Sequence, residues 1–369
     1  MQNTPFPAII PPCLIKNGAK SLNNLNPAVL SKLRFGSQQL SILKVLGEYQ
    51  GKQALYFKQT PEILETLRQT SIVESAESSN RIEGITAPHH RIEKIVLKTT
   101  KPRNRSEQEI AGYRDALALI HESHEHMHLS TNLILQLHAM LYRYHAGTGG
   151  HWKLTDNKIV ENYPDGHLKR VRFVPTPAVT TPQAMEDLVT TYQETKNQKL
   201  YEPLLVIPLA ILDFLCIHPF SDGNGRAARL FTLLLLYQSG YQVGRYISLE
   251  RVFEESKETY YETLEVSSKG WHENEADVFP WLNYFWGTLL RAYKELEDRV
   301  GKIKKGRGHK TEQIKYAISQ KVAAFTISDL ERDCPGVSRE MLRKVLRKLR
   351  DQGKLSSIGT GRGAKWKKL

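Results

Sequence analysis

From Ser106 to Val300, apolar residues recur every three or four positions, the period of a helix that buries one face. The pattern predicts helices over Ser106–His121, Ser130–Tyr144, Thr181–Thr195, Glu202–Ile217, Gly225–Gln238, Leu249–Ser267 and Phe279–Val300. Ser106, Ser130 and Thr181 stand where N-caps belong, Pro182 suits a first turn, and Gly240 suits a helix stop. A further helical stretch runs from Pro61 to Ile82, with Gly84 as the residue just past its end. Period-two character is confined to short runs, Lys158-Ile159-Val160 and Val171-Arg172-Phe173-Val174, around the turn signal Pro164-Asp165-Gly166. Residues 1–60 are only weakly patterned. The expected fold is mainly α, with one small β-hairpin.

The last seventy residues differ in kind. A glycine-rich basic stretch, Gly301 to His309, reads as a linker. Short helices are expected over Thr311–Ser319 and Ser328–Asp333. Pro335-Gly336 makes a turn, and Ser338 caps a third helix reaching Arg350. Leu355–Ile358 and Ala364–Trp366 read as strands around a glycine-rich loop, Gly359–Gly363. This order resembles a winged helix-turn-helix domain. In the third helix Leu342, Val345, Leu346 and Leu349 form the apolar stripe, while Arg339, Arg343, Lys344, Arg347, Lys348 and Arg350 line much of the rest.

Charge sharpens this division. The net charge is +13, and residues 301–369 hold 19 Lys+Arg against 6 Asp+Glu, so the first 300 residues are neutral overall. A basic helix of this kind suits DNA phosphate and major-groove contact through Arg339, Arg343, Lys344 and Arg347; docking to an acidic protein is the alternative. The scattered cysteines Cys13, Cys216 and Cys334 suggest neither a disulfide framework nor a zinc cluster. His121, His124, His126 and His128 read as a solvated helix end rather than a metal site. The N-terminus lacks a secretory pattern, and Asp213 ends the longest apolar run well short of a membrane span. A cytoplasmic protein with no membrane partner is expected.

The richest chemistry lies between the apolar runs Leu204–Ile217 and Leu230–Tyr237. There His218-Pro219-Phe220-Ser221-Asp222-Gly223-Asn224-Gly225-Arg226-Ala227-Ala228-Arg229 gathers a base, a carboxylate, a Gly-Asn-Gly turn and two arginines. A turn of that type opening a helix aims backbone N–H groups at one point, where an anion can sit. Arg226 and Arg229 share the first helical turn. Asp222 can hold a divalent cation, and His218 can take a proton near neutral pH.

The string resembles the signature of the Fic family, H-P-F-x-[DE]-G-N-G-R-x-x-R, at every specified position. The resemblance implies transfer of AMP from ATP to a Ser, Thr or Tyr hydroxyl of a target protein. His218 would be the general base and Asp222 the Mg²⁺ ligand. Gly223, Asn224, Gly225, Arg226 and Arg229 would cradle the phosphates, and Tyr260 and Tyr261 would wall the nucleotide. The hairpin around Lys158, Ile159 and Val160 corresponds to a flap that docks the target, with Lys153 where many relatives have arginine. Ser79-Asn80-Arg81-Ile82-Glu83-Gly84 resembles the family's inhibitory motif, [ST]-x-x-x-E-[GN], which implies that Glu83 pairs with Arg229 and blocks the γ-phosphate. Expected divisions are 1–105 with the inhibitory helix, 106–300 as catalytic core, 301–310 as linker and 311–369 as winged helix. Expected partners are the target protein, duplex DNA, and a second copy of the chain as auto-modification substrate or homodimer. Removal of AMP at the same site, alone or with its addition, and a DNA-binding regulator with a nucleotide-sensing core are the rival readings.

Overall fold

The structure, a computed structural model, describes residues 24–369 except 60, 146–148, 164, 166, 302–308, 320, 322–323, 335, 360–363 and 369. The segment Pro11–Lys16 with Cys13, most of the linker, Pro335 and most of the Gly359–Gly363 loop lie outside the described residues. So do Pro164 and Gly166 of the hairpin turn.

Before the hairpin come α1 (Pro27–Leu30), α2 (Ser37–Gln59), α3 (Pro61–Ile82), α4 (His89–Val96), α5 (Arg105–Ser123) and α6 (Thr131–Leu141). Then β1 (Ile159–Asn162) pairs antiparallel with β2 (Leu168–Phe173), Ile159 opposite Phe173 and Val160 opposite Val171, with register shifts at both ends of β1. After it come α7 (Thr181–Gln198), α8 (Pro203–Ile217), α9 (Asn224–Gln238), α10 (Leu249–Glu255), α11 (Lys257–Ser268) and α12 (Phe279–Gly301). One hydrophobic cluster runs through all of this, from Leu25 to Val300. Leu46 of α2 and Leu67 of α3 belong to it, so the helix ending just before Glu83 is built into the same core as the signature.

The axis of the body is α8, apolar all round and buried along nearly its whole length. Pro208 inside it has no N–H to give to the carbonyl of Leu204. Trp286 of α12 makes good the loss, donating Nε1–H to that oxygen at 2.7 Å. Asp213, fully buried on the same helix, accepts from Trp271 Nε1 at 2.7 Å and from the backbone N–H and side-chain amide of Asn24. These bonds tie the chain's N-terminal approach to the helix that ends at His218.

Four expectations need correcting. The cap of α7 is Thr180 rather than Thr181. The helix expected over Leu249–Ser267 is broken at Ser256, whose hydroxyl bonds the Val252 carbonyl and the Tyr284 hydroxyl. The cap of α5 is Asn104 rather than Ser106; its side chain accepts from Glu107 N–H at 2.9 Å. His121 and His124 are not solvated. Both pack edge-on against Tyr237, and Arg245 donates to the His121 carbonyl and faces the His124 ring. His126 and His128 are exposed. Among the described residues no group of three or more His, Cys, Asp or Glu is placed to hold a metal.

The C-terminal unit has its own cluster, from Ile314 to Trp366. It comprises α13 (His309–Ser319), β3 (Phe325–Thr326), α14 (Ile327–Asp333), α15 (Arg339–Asp351), β4 (Leu355–Ile358) and β5 (Lys365–Lys368), the strands ordered β3-β5-β4. Strand β3, too short to read from the sequence, pairs Phe325 with Trp366. Thr326 and Asp329 form a capping box on α14, and Ser338 caps α15 through Met341 N–H. Among the described residues no helix is long and apolar enough to cross a membrane.

Candidate active site

The turn between α8 and α9 carries the signature. Helix α8 ends because His218 takes the left-handed conformation, φ 51° and ψ 61°, and Gly223 does the same at φ 80° as α9 begins. Left-handed backbone is costly for a residue with a Cβ, so His218 is held there by its surroundings. Asn224 does part of that work from inside the loop. Its buried side chain accepts from Phe220 N–H at 2.9 Å and donates to Phe220 C=O at 2.8 Å. Its amide therefore ties the loop to itself.

His218 Nδ1 lies 3.3 Å from the carbonyl of Leu215, an acceptor only, so Nδ1 carries the proton and Nε2 is left as the acceptor. Burial and the nearby Lys153 cation push its pKa down to about 4. The imidazole is therefore neutral at pH 7, the form a base requires.

Facing it is a cleft of about 490 Å³, within the usual range for small-molecule sites. Glu83, His218, Gly225 and Arg229 line its polar end; Leu212, Leu215, Cys216, Leu264, Tyr260 and Tyr261 line the apolar part. Ile159, Val160, Arg172 and Phe173 of the hairpin close one side. Lys158, just before β1, is exposed and does not line the cleft; the strands run Ile159–Asn162 and Leu168–Phe173, shifted from the expected runs.

Arg229 is 2% exposed. Its Nε donates to Ser79 Oγ at 2.8 Å, and its Nη2 to Ser79 C=O at 2.8 Å and to Glu83 Oε1 at 2.7 Å. Nη1 has no hydrogen-bond partner among the described residues and points toward Gly225. Glu83 lies so close over Gly225 that a Cβ there would overlap its carboxylate. An acidic group thus stands at the N-terminus of α9, where backbone N–H groups and the helix dipole favour an anion.

Four signature residues stand elsewhere than expected. Gly223 and Asn224 do not line the cleft: Gly223 N–H goes to Asp222 and the buried Asn224 side chain to Phe220. Arg226 does not line the cleft: it is 1% exposed, donates to Glu109 Oε2 at 2.5 Å and to Tyr142 OH at 2.9 Å, and lies 3.7 Å from Asp222. A buried guanidinium needs a carboxylate, and Glu109 of α5 supplies it. Asp222 is largely exposed beside the loop, its Oδ1 accepting from Gly223 N–H at 2.6 Å. Glu109, Tyr142 and His138, which orders this region, were not singled out in the sequence. Each sits in a helical pattern whose spacing says only "buried side"; a charged or polar residue at such a position is the signal that was present.

Residues 128–236 match the model of the Fic/DOC family. The chain carries a Fic domain. Over 94 residues it is 30% identical to a protein named protein adenylyltransferase Fic from Aedes aegypti, and over 128 residues 28% identical to one of the same name from Culex quinquefasciatus. These matches cover 26% and 30% of this chain but only 16% and 23% of those proteins. Among solved structures, a Fic family protein from Desulfovibrio desulfuricans G20 superposes with a TM-score of 0.59 at 18% identity, covering 91% of this chain and 97% of that one. Fic-1 from C. elegans gives 0.54 at 19% identity, covering 72% of each. These likenesses show the Fic fold across the helical body.

Proposed function

We propose that the chain is a protein adenylyltransferase that moves AMP from ATP to a Ser, Thr or Tyr hydroxyl of a target protein, and that Glu83 restrains it. The observation that carries this reading is Arg229. A buried guanidinium whose Nη1 has no hydrogen-bond partner among the described residues, next to Gly225 and lining the same cleft as His218, is a seat for a phosphate, and Glu83 now shares it. The target hydroxyl attacks the α-phosphorus, His218 Nε2 takes its proton, and pyrophosphate leaves. Arg229 and the N–H groups opening α9 hold the phosphates in position. Asp222, largely exposed and accepting from Gly223 N–H, would hold Mg²⁺, which would neutralise phosphate charge. Arg226 acts from behind, fixing Asp222 and Tyr142. The hairpin wall would present the target segment. Auto-modification is expected where the target is a second copy of the chain.

The test is incubation of the native chain and Glu83→Gly with α-labelled ATP and magnesium. Label on protein in the variant, and less in the native chain, supports the reading. Label removed faster from a pre-modified target by the native chain than by Glu83→Gly would favour the de-adenylylase instead.

A companion reading concerns the C-terminal unit. Arg343, Lys344, Arg347 and Lys348 are exposed on α15, with no ion pair among the described residues, whereas Arg339 bonds Glu331. We infer a winged-helix module that lays this face on duplex DNA, with Arg339 as a weaker contributor.

A further inference from the structure

We propose that Lys153 is the positioning residue for His218, gripping the backbone on both sides of it. The inference rests on His218 being the base of the transfer proposed above. The backbone N–H of Lys153 donates to Pro219 C=O at 2.8 Å, and its Nζ donates to Ile217 C=O at 3.1 Å. One residue thus bonds the carbonyl just before His218 and the carbonyl just after it. Ile217 is the last residue of α8, where carbonyls have no intrahelical partner and the helix dipole favours a cation. Lys153 is 2% exposed, and burial pulls its pKa down to about 8, so the ammonium's place there needs these acceptors.

Lys153 does not act alone. Its Nζ also donates to Asn157 Oδ1 at 2.9 Å, and Asn157 Nδ2 donates to Phe220 C=O at 3.1 Å. His138 extends the row. Its Nδ1 accepts from Gly150 N–H at 3.0 Å, so Nε2 carries the proton given to Asp222 C=O, also at 3.0 Å. The Phe220 ring stacks with those of His138 and Trp152, at centroid distances of 3.6 and 5.3 Å. The carbonyls of Ile217, Pro219, Phe220 and Asp222 are therefore all engaged by residues that do not line the cleft. That arrangement keeps His218 in its left-handed backbone conformation. It also joins the base rigidly to the segment leading into the hairpin, so base and hairpin keep a common register.

A purely structural lysine would affect every step alike; a positioning lysine would affect the chemical step. The experiment compares Glu83→Gly with Glu83→Gly/Lys153→Met, which keeps the stem and removes the cation. The kcat for AMP transfer is expected to fall about 10- to 100-fold, the scale of a displacement near 1 Å at a reacting group, while the Kd for MgATP stays within about twofold. Asn157→Ala, at a less buried position, is expected to lower kcat by a smaller factor, and it carries the test if Lys153→Met does not fold. In protein labelled with ¹³C at histidine Cε1, the His218 signal, identified by its loss in His218→Gln, is expected to shift or split in Lys153→Met. An unchanged kcat, equal losses in kcat and MgATP affinity, or an unmoved His218 signal would overturn the proposal. If the Glu83→Gly parent transfers no AMP, the adenylyltransferase reading fails by itself, and the His218 signal still decides the role of Lys153.

Discussion

Replacing Glu83 by glycine should tighten productive ATP binding by a calculable amount. On the proposed function, the γ-phosphate would have to displace a carboxylate held 2.7 Å from Arg229 Nη2 in the native chain. Hydrogen bonds to charged groups contribute about 1.5–3 kcal/mol, which corresponds to roughly 10- to 150-fold in an equilibrium constant. Glu83 keeps 29% of its side-chain surface, so water retains part of its solvation and the lower half of that range applies. Removal also clears the space over Gly225 that the carboxylate fills. The expected result is about a tenfold fall in the Kd for MgATP by titration calorimetry, with a rise in AMP transfer at least as large. Arg229→Ala should lose both gains even when combined with Glu83→Gly. Equal or weaker ATP binding in Glu83→Gly, with no rise in transfer, would refute the argument that Glu83 occupies the phosphate seat.

His218→Ala should lower transfer by about two to four orders of magnitude with the melting temperature unchanged, the loss expected of a general base. With its pKa at about 4, His218 is neutral well below pH 7, so the rate should hold from pH 8 to about 5 and fall only as pH nears 4; an acid limb centred near 6.5 would contradict the burial argument. His121 and His138, held at about 3 and about 4 by burial, bind protons when unfolded but not when folded. Their contribution to stability is full above about pH 6.5 and is lost as pH falls toward 4, which a melting series at constant ionic strength will read. Full-length protein should bind duplex DNA with steep salt dependence in an anisotropy titration. Arg343→Ala and Arg347→Ala should each reduce the salt slope by about one, leaving AMP transfer intact, and no binding at low salt would assign α15 to a protein partner.

Much of the site was legible because its chemistry is local. The twelve residues from His218 to Arg229 lie on one turn and one helix, and Glu83 ends a helix whose stop is written in Gly84. The long-range partners were not legible. Nothing near Arg226 in the chain reports that Glu109, 117 residues away, would bury it. Nothing near Lys153 reports that its ammonium would meet the end of α8. Helix α2 was missed because it is rich in Gln, Lys and Gly and buries few side chains, Leu46, Tyr49 and Gln53 among them. Tertiary contact, more than local preference, holds it. The break at Ser256 escaped for a related reason: apolar spacing continues across it, and the Tyr284 hydroxyl that meets Ser256 there is distant in the chain.

The central claim is that this cleft delivers AMP to a protein hydroxyl. The most direct measurement incubates Glu83→Gly protein in parallel with ATP labelled at the α- or the γ-phosphate, then follows label on protein and in solution. The expected result is α-label bound to protein and γ-label released as pyrophosphate, with both signals lost in Glu83→Gly/His218→Ala. Protein carrying γ-label, or neither label bound with an intact fold, would contradict it.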